Sequence, residues 1–140
     1  IHQFNVSKCA VAGIYTVPDE ELSKYGVVSL LGDKIVSIIE KPKIEDAPSN
    51  YVLCGRYIFT EDAKNLLENI FSVEQFGEMQ SIELQKYWME RNLLNFVDLS
   101  KFSWYDSGNP LSWIKSQVDY ALRRADLAPT MREWLISRLN

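Results

Sequence analysis

Residues 38–42 read Ile38-Ile39-Glu40-Lys41-Pro42, so a β-branched run is followed at once by a carboxylate, an ammonium group and a proline. β-Branched residues favour an extended backbone, and proline has no N–H to donate, so the pattern predicts a strand that ends at the two charges. Ligands of α/β proteins are commonly contacted at strand ends. Two interpretations stay open here: Glu40 and Lys41 hold a sugar phosphate, or they form an ordinary surface ion pair.

A tight hairpin is predicted to lead into this strand end. Residues 25–31 and 34–40 have strand character, and the Gly-Asp pair between them suits a two-residue turn of the primed type. In a regular register, Tyr25 is opposite Glu40, and Gly26 is opposite the residue before it. The charged strand end would then lie beside Gly26, whose backbone a ligand can approach closely.

The rest of the chain alternates short apolar runs with segments of helical spacing, which indicates an α/β fold. Gly55 interrupts one strand, and an internal strand glycine marks either a bulge or a close approach of a ligand. Asn109 and Pro110 are typical of a helix start. The predicted strands cover residues 9–17, 51–59 and 93–99, and the predicted helices follow Thr60, Gly77, Asn109 and Thr130.

Composition narrows the function classes. The chain of 140 residues is 46% hydrophobic and 24% charged, with a net charge of −4 and scattered basic residues. We therefore expect a cytoplasmic protein that binds neither nucleic acid nor membrane, since no apolar run reaches the roughly 20 residues that span a bilayer. The single histidine, His2, argues against a histidine-based zinc site or catalytic triad. Cys9 and Cys54 are expected to be reduced thiols, with a disulfide as the alternative.

Asp106 is the candidate metal ligand. It lies between Tyr105 and Ser107-Gly108, just before a predicted helix start. Mg²⁺ prefers one or two carboxylates together with phosphate oxygens, so Asp106 is either a magnesium ligand or a turn aspartate. Tyr25 and Tyr57 either line a pocket or serve packing alone.

The glycines are too dispersed for a phosphate-binding loop. No two of the six glycines lie within four residues of each other. Glycine-rich loops that bind phosphates need closely spaced glycines. If a nucleotide binds, most of its site must therefore come from elsewhere, and the first residue, Ile1 rather than Met, is compatible with a piece of a longer protein.

Six short motifs occur in an order that resembles the bacterial UTP–glucose-1-phosphate uridylyltransferases. The resemblance runs over nearly the whole chain and corresponds to the C-terminal half of that family. It implies a Rossmann-like nucleotidyltransferase fold with a mixed sheet, whose N-terminal nucleotide-binding half lies outside this chain. The motifs are Tyr25-Gly26, Glu40-Lys41-Pro42, Ala47-Pro48-Ser49-Asn50, Gly55-Arg56-Tyr57, Gly77-Glu78-Met79-Gln80 and Tyr105-Asp106-Ser107-Gly108.

The resemblance also implies an activity, in which UTP and glucose 1-phosphate give UDP-glucose and pyrophosphate. On this basis Lys41 binds the sugar-linked phosphate and Glu40 the glucose hydroxyls. Asp106 is the implied Mg²⁺ ligand, and a homo-oligomer is implied for the intact protein. The implied substrate-binding residues are Tyr25, Gly26, Glu40, Lys41, Gly55 and Tyr57, with Lys41 also catalytic.

Two other functions stay open. Glu83 stands where the family has an aspartate, which leaves room for a non-catalytic, regulatory paralogue. The Glu-Lys-Pro motif is shared with glucose-1-phosphate thymidylyltransferases, so the base of the nucleotide is a separate question.

Overall fold

A computed structural model describes residues 1–71 and 81–139. The chain divides into two compact units, Ile1–Lys101 and Phe102–Asn140. The motif at residues 77–80, and with it the predicted helix start at Gly77, lies outside the described residues.

Within its described residues, 1–71 and 81–101, the first unit contains five strands, three α-helices and two short 3₁₀ helices. The predicted strand at residues 38–40 is confirmed as the end of the third strand. The strands are β1 (Ala10–Thr16), β2 (Gly26–Leu31), β3 (Lys34–Glu40), β4 (Tyr51–Ile58) and β5 (Leu94–Asp98). The helices are α1 (His2–Ser7), α2 (Ala63–Asn69) and α3 (Ser81–Glu90), and the 3₁₀ helices cover Asp19–Lys24 and Ile44–Asp46.

These strands form one mixed sheet in the order β1-β4-β2-β3-β5. Strands β1 and β5 are parallel, whereas the other pairings are antiparallel. The ring of pairings closes where Lys34 of β3 meets Asn95 of β5. The predicted mixed sheet is therefore confirmed.

The predicted hairpin register is wrong at its far end. Leu31 does pair with Lys34, but β3 carries one extra residue, Val36, where the register shifts. Gly26 is consequently opposite Glu40 rather than opposite Ile39. A one-residue bulge moves every later pair by one position.

The cause of this bulge is the core. Ile35 and Ile38 are both buried, with 1% and 8% of their surfaces exposed. Residues three apart in a regular strand face opposite sides of the sheet. An extra residue between Ile35 and Ile38 lets both side chains join one core cluster. Most other members of this cluster are distant in the sequence, so the bulge results from long-range packing.

Strand β4 carries a second irregularity, at the predicted position. Between the pairs Ala12–Tyr57 and Ile14–Leu53, three residues of β4 stand opposite one residue of β1. Gly55 lies in this segment with φ +70°, a left-handed conformation that favours glycine. Of the two alternatives for Gly55, the bulge is therefore present, whereas the approach of a ligand stays a prediction.

Helix α3 packs on the sheet through its apolar side. Ile82, Leu84 and Trp88 are buried and belong to the same cluster as the inward residues of the strands. The Trp88 indole N–H donates a hydrogen bond to the Asp62 carboxylate (3.3 Å). The apolar side of this helix is therefore part of the core of the first unit.

The second unit contains helices α4 (Pro110–Arg123) and α5 (Ala128–Leu139). Asn109 caps α4 as predicted, since its side-chain oxygen accepts a hydrogen bond from the Ser112 N–H (3.0 Å). The predicted start of α5 at Thr130 is wrong, because the helix already begins at Ala128. Within residues 1–71 and 81–139, no helix is both long and apolar enough to cross a membrane.

Candidate functional site

The Glu40 side chain lies over the backbone of Gly26. A Cβ added to Gly26 would come within 2.9 Å of Glu40 Oε2, 3.3 Å of Leu53 Cδ1 and 3.7 Å of Ile82 Cδ1. Glycine at this position therefore leaves room for the carboxylate on the α3 side of the sheet. The result is an acidic group at the strand end, held above a buried glycine and beside apolar walls.

Lys41 has an unusual backbone for a residue with a side chain. Its φ is +46°, in the left-handed region that costs a non-glycine residue about 1–2 kcal/mol. Its N–H donates a hydrogen bond to the Tyr25 carbonyl oxygen (3.0 Å), which ties the turn to the start of β2. Pro42 follows and is buried. Strain of this kind is often held at ligand sites, where it aims a side chain that a regular strand would direct elsewhere.

Glu40 and Lys41 do not form the ordinary ion pair considered above. The ion pairs within residues 1–71 and 81–139 include neither side chain. Both residues are exposed. A carboxylate and an ammonium group that lie at one strand end without pairing with each other both keep the capacity to bind a polar ligand.

The other predicted site residues lie on the neighbouring strand β4. Gly55 is exposed, and an added Cβ would meet nothing within 4 Å, so the space beside it is open. Tyr57 is half-buried, packs against the core and stacks on Phe59 with the ring centroids 5.8 Å apart. The structure thus brings Tyr25, Gly26, Glu40 and Lys41 together and leaves open space at Gly55.

Asp106 belongs to the second unit, in the loop before α4. Its Oδ1 accepts a hydrogen bond from the Gly108 N–H (2.9 Å), and its carbonyl oxygen accepts one from the Asn109 N–H (3.2 Å). These are the contacts expected of a turn aspartate, and the metal role stays a prediction.

The Asp106 carboxylate could bind a divalent cation whose other ligands include phosphate oxygens. A carboxylate offers about four acceptor positions, and one hydrogen bond at Oδ1 leaves others for a metal. Mg²⁺ is typically bound by one or two carboxylates together with substrate phosphates. No group of three or more His, Cys, Asp or Glu side chains able to hold a metal occurs within the described ranges. Asp106 would therefore be one ligand among several rather than part of a complete cage.

Hydrogen bonding or burial shifts the pKa values of several groups, among them Tyr105, Asp98 and Cys54. The hydrogen bond to Asp119 raises the pKa of Tyr105, because the carboxylate favours the neutral phenol. Hydrogen bonds from Ser100 lower the pKa of Asp98. Burial raises the pKa of the Cys54 thiol. Cys9 and Cys54 are both free thiols, as predicted.

Some neighbours of the site had no signal in the sequence. Leu53 and Ile82 flank Gly26, but they lie 27 and 56 residues away along the chain, where no local pattern relates them to it. Asp119 and Arg123 have helical i, i+4 spacing, which predicts their ion pair but not its link to Tyr105.

Comparisons with known proteins give the family. A model of the family described as Nucleotidyl transferase matches residues 2–122. The UTP–glucose-1-phosphate uridylyltransferase of Haemophilus ducreyi is 30% identical over 131 residues, which cover 88% of this chain and 44% of that protein. The chain thus spans about half the length of the curated relatives it matches.

Solved structures agree with this result. A UDP-glucose pyrophosphorylase from Acinetobacter baumanii superposes with a TM-score of 0.81 at 25% identity, over 99% of this chain and 48% of that one. A UDP-glucose pyrophosphorylase complexed with UDP-glucose gives a TM-score of 0.72 at 29% identity, over 88% of this chain and 48% of that one. The resemblance to uridylyltransferases and the α/β nucleotidyltransferase fold are both confirmed. The chain belongs to the nucleotidyl transferase family.

Proposed function

We propose that this chain supplies the sugar-phosphate side of an enzyme that makes UDP-glucose and pyrophosphate from UTP and glucose 1-phosphate. The observation that carries the proposal is the strand end where Glu40 lies over Gly26 and Lys41 turns out of the strand with φ +46°. Family membership supplies the reaction class. The nucleotide side would come from residues outside 1–140, so the chain alone is not expected to turn over.

In the proposed reaction, a phosphate oxygen of glucose 1-phosphate attacks the α-phosphorus of UTP, and the bond from that phosphorus to pyrophosphate breaks. Such a transfer depends mainly on alignment and on neutralising charge at the phosphates. Lys41 would neutralise the sugar-linked phosphate. The Glu40 carboxylate would accept hydrogen bonds from glucose hydroxyls, because an ionised carboxylate only accepts them.

The remaining site residues of the first unit shape the same site in the proposal. Gly26 and Gly55 would let the sugar approach the backbone of two neighbouring strands, and Tyr25 and Tyr57 would border it. Mg²⁺ would supply charge neutralisation at the phosphates. Asp106 would hold that ion through the carboxylate capacity left by its hydrogen bond to Gly108.

Binding to this chain tests the sugar-phosphate side directly. Isothermal titration with UDP-glucose is expected to show binding, and Lys41→Ala is expected to weaken it about 10-fold to 100-fold, the value of a charged hydrogen bond. Lys43→Ala is the matched control, because Lys43 is an exposed lysine two residues away. Equal affinity of the Lys41 and Lys43 variants would contradict the assignment of Lys41.

Turnover tests the reaction and its alternatives. Pyrophosphate release from UTP, glucose 1-phosphate and Mg²⁺ should be seen with the full-length gene product, should be largely abolished by Lys41→Ala and should be absent for residues 1–140 alone. A full-length product that binds UDP-glucose without turnover would favour the regulatory paralogue. Faster turnover with dTTP than with UTP would favour a thymidylyltransferase.

Self-association is also proposed for the intact protein. Trp113, Tyr120 and Trp134 are each more than half exposed on α4 and α5. Sedimentation velocity of the intact protein is expected to show an oligomer, and a monomer at all concentrations would contradict it. A cytoplasmic location and the lack of a nucleic-acid partner stay predictions from composition.

A further inference from the structure

The loop that carries Asp106 is attached to helix α4 by a pair of charged side chains. The Tyr105 hydroxyl donates a hydrogen bond to Asp119 Oδ2, and Arg123 donates one to the same oxygen (3.1 Å). Arg123 also donates a hydrogen bond to the Ser103 hydroxyl (2.7 Å). Asp119 and Arg123 therefore hold the loop at two positions, both within three residues of Asp106.

Asp106 lies between this attachment and the start of the helix. Its neighbour Tyr105 is held from one side. On the other side, Asp106 receives hydrogen bonds from the N–H groups of Gly108 and Asn109, and Asn109 is the N-cap of α4. Asp106 is thus bonded to the N-cap of the helix on one side, and its neighbour Tyr105 is bonded to the body of the same helix on the other.

The charged pair is poorly suited to a purely stabilising role. The Asp119 and Arg123 side chains are 41% and 63% exposed, and exposed ion pairs contribute little to folding stability. Positioning makes a stricter demand, because a metal-binding carboxylate must be held within about 0.5 Å of its working geometry. Mutating a group that orients a metal ligand typically lowers metal affinity about 10-fold to 100-fold.

We propose that Asp119 is a positioning residue that sets the Asp106 carboxylate for a divalent cation by holding Tyr105 against α4. The inference rests on the metal role given to Asp106 in the proposed function. Tyr105 links Asp119 to the neighbouring Asp106. Arg123 orients the Asp119 carboxylate, because it donates a hydrogen bond to the same oxygen, Oδ2, that accepts from Tyr105.

Paramagnetic NMR of the 140-residue chain tests this without turnover. With UDP-glucose present, Mn²⁺ is titrated, and the concentration that halves the Gly108 amide signal is measured. Asp106→Asn is expected to abolish this site-specific broadening. Asp119→Asn and Tyr105→Phe are each expected to raise the half-broadening concentration about 10-fold, a typical loss when a group behind a metal ligand is removed. Asp119→Glu, which keeps the carboxylate, is expected to recover part of the affinity.

The matched control is Asp126→Asn, which removes the negative charge that pairs with Arg124 just after the same helix (2.9 Å) without touching the loop. It should leave the Mn²⁺ titration unchanged. If Asp119→Asn and Tyr105→Phe lower the melting temperature but leave the titration unchanged, the positioning role is overturned. If Asp106→Asn also leaves it unchanged, the metal assignment itself is wrong and the inference falls with it.

Discussion

At the residue scale, Lys41 combines a predicted function with measurable strain. The left-handed backbone conformation at Lys41 is unfavourable for lysine but not for glycine. Glycine, however, has no charge with which to neutralise a phosphate. Lysine in this conformation therefore lowers the stability of the fold but places a positive charge at the strand end. Glycine and alanine variants of Lys41 can distinguish the effect on binding from the effect on stability.

We predict that Lys41→Gly and Lys41→Ala weaken UDP-glucose binding equally, whereas Lys41→Gly is more stable by about 1 kcal/mol. Both variants lose the ammonium group, but only alanine keeps the strained φ. Urea unfolding gives the stability difference, and calorimetry gives the affinities. Equal unfolding midpoints for the two variants would contradict the energetic cost assigned to the left-handed backbone at Lys41.

Gly26 provides a second prediction at this scale. In Gly26→Ala the new methyl group would meet Glu40 Oε2 at 2.9 Å, so the carboxylate must move. Because Glu40 Oε2 is the end of a flexible, exposed side chain that can move aside, we expect a loss of only about 1 kcal/mol or less in the free energy of unfolding, together with weaker sugar binding. In the background of Glu40→Ala, the same substitution should cost less, because one of its three close neighbours is gone. A full double-mutant cycle by urea unfolding measures this coupling.

At the element scale, the sheet closes through a polar cluster rather than an apolar one. Asn95 on β5 is fully buried; its side-chain N–H donates to Asp33 (2.9 Å), and its oxygen accepts from Lys34 (2.6 Å). Both partners lie at the hairpin end of β3. One amide thus holds the hairpin to β5 at the point where the strand pairing itself is a single residue pair.

We expect Asn95→Ala to lower the free energy of unfolding by about 2–3 kcal/mol, because two hydrogen bonds to charged groups are lost and a buried site is emptied. Asn69→Ala is the control, since Asn69 is exposed and its bond to Asn65 (2.8 Å) lies on the helix surface. That variant should change stability by less than about 0.5 kcal/mol. Similar losses for both variants would argue against the role given to Asn95.

At the scale of the whole molecule, the two thiols are expected to react with an alkylating reagent in different states of the protein. Cys54 is buried, and burial raises the pKa of its thiol, so reagents reach it poorly and little of it is thiolate, whereas Cys9 is only half-buried. With iodoacetamide at pH 8, Cys9 is expected to react in the native protein, and Cys54 only as the first unit unfolds. Peptide mass spectrometry over a urea series distinguishes the two, and fast native labelling of Cys54 would contradict its burial.

Local structure followed from local pattern. The strand at residues 34–40, the glycine of the hairpin turn with φ +60°, the bulge at Gly55 and the cap at Asn109 were all readable from neighbouring residues. The start of α5 was not, because Thr130 and Glu133 have the spacing of a capping box although the helix begins two residues earlier. The helix begins earlier because residues 124–128 already form a turn, in which the Leu127 and Ala128 N–H groups both donate to the Arg124 carbonyl oxygen.

By itself, the sequence determined which residues could form the site: a carboxylate, a lysine and a proline at a strand end, with glycines on the strands beside it. Only the tertiary structure decided which of them meet. Regular pairing would place Glu40 opposite Tyr25, whereas the bulge at Val36 places it over Gly26. The physical reason is the shared core, because burying Ile35 and Ile38 on one face requires the extra residue between them. This burial depends on contacts with residues that are distant in the chain, so no local sequence pattern predicts the bulge.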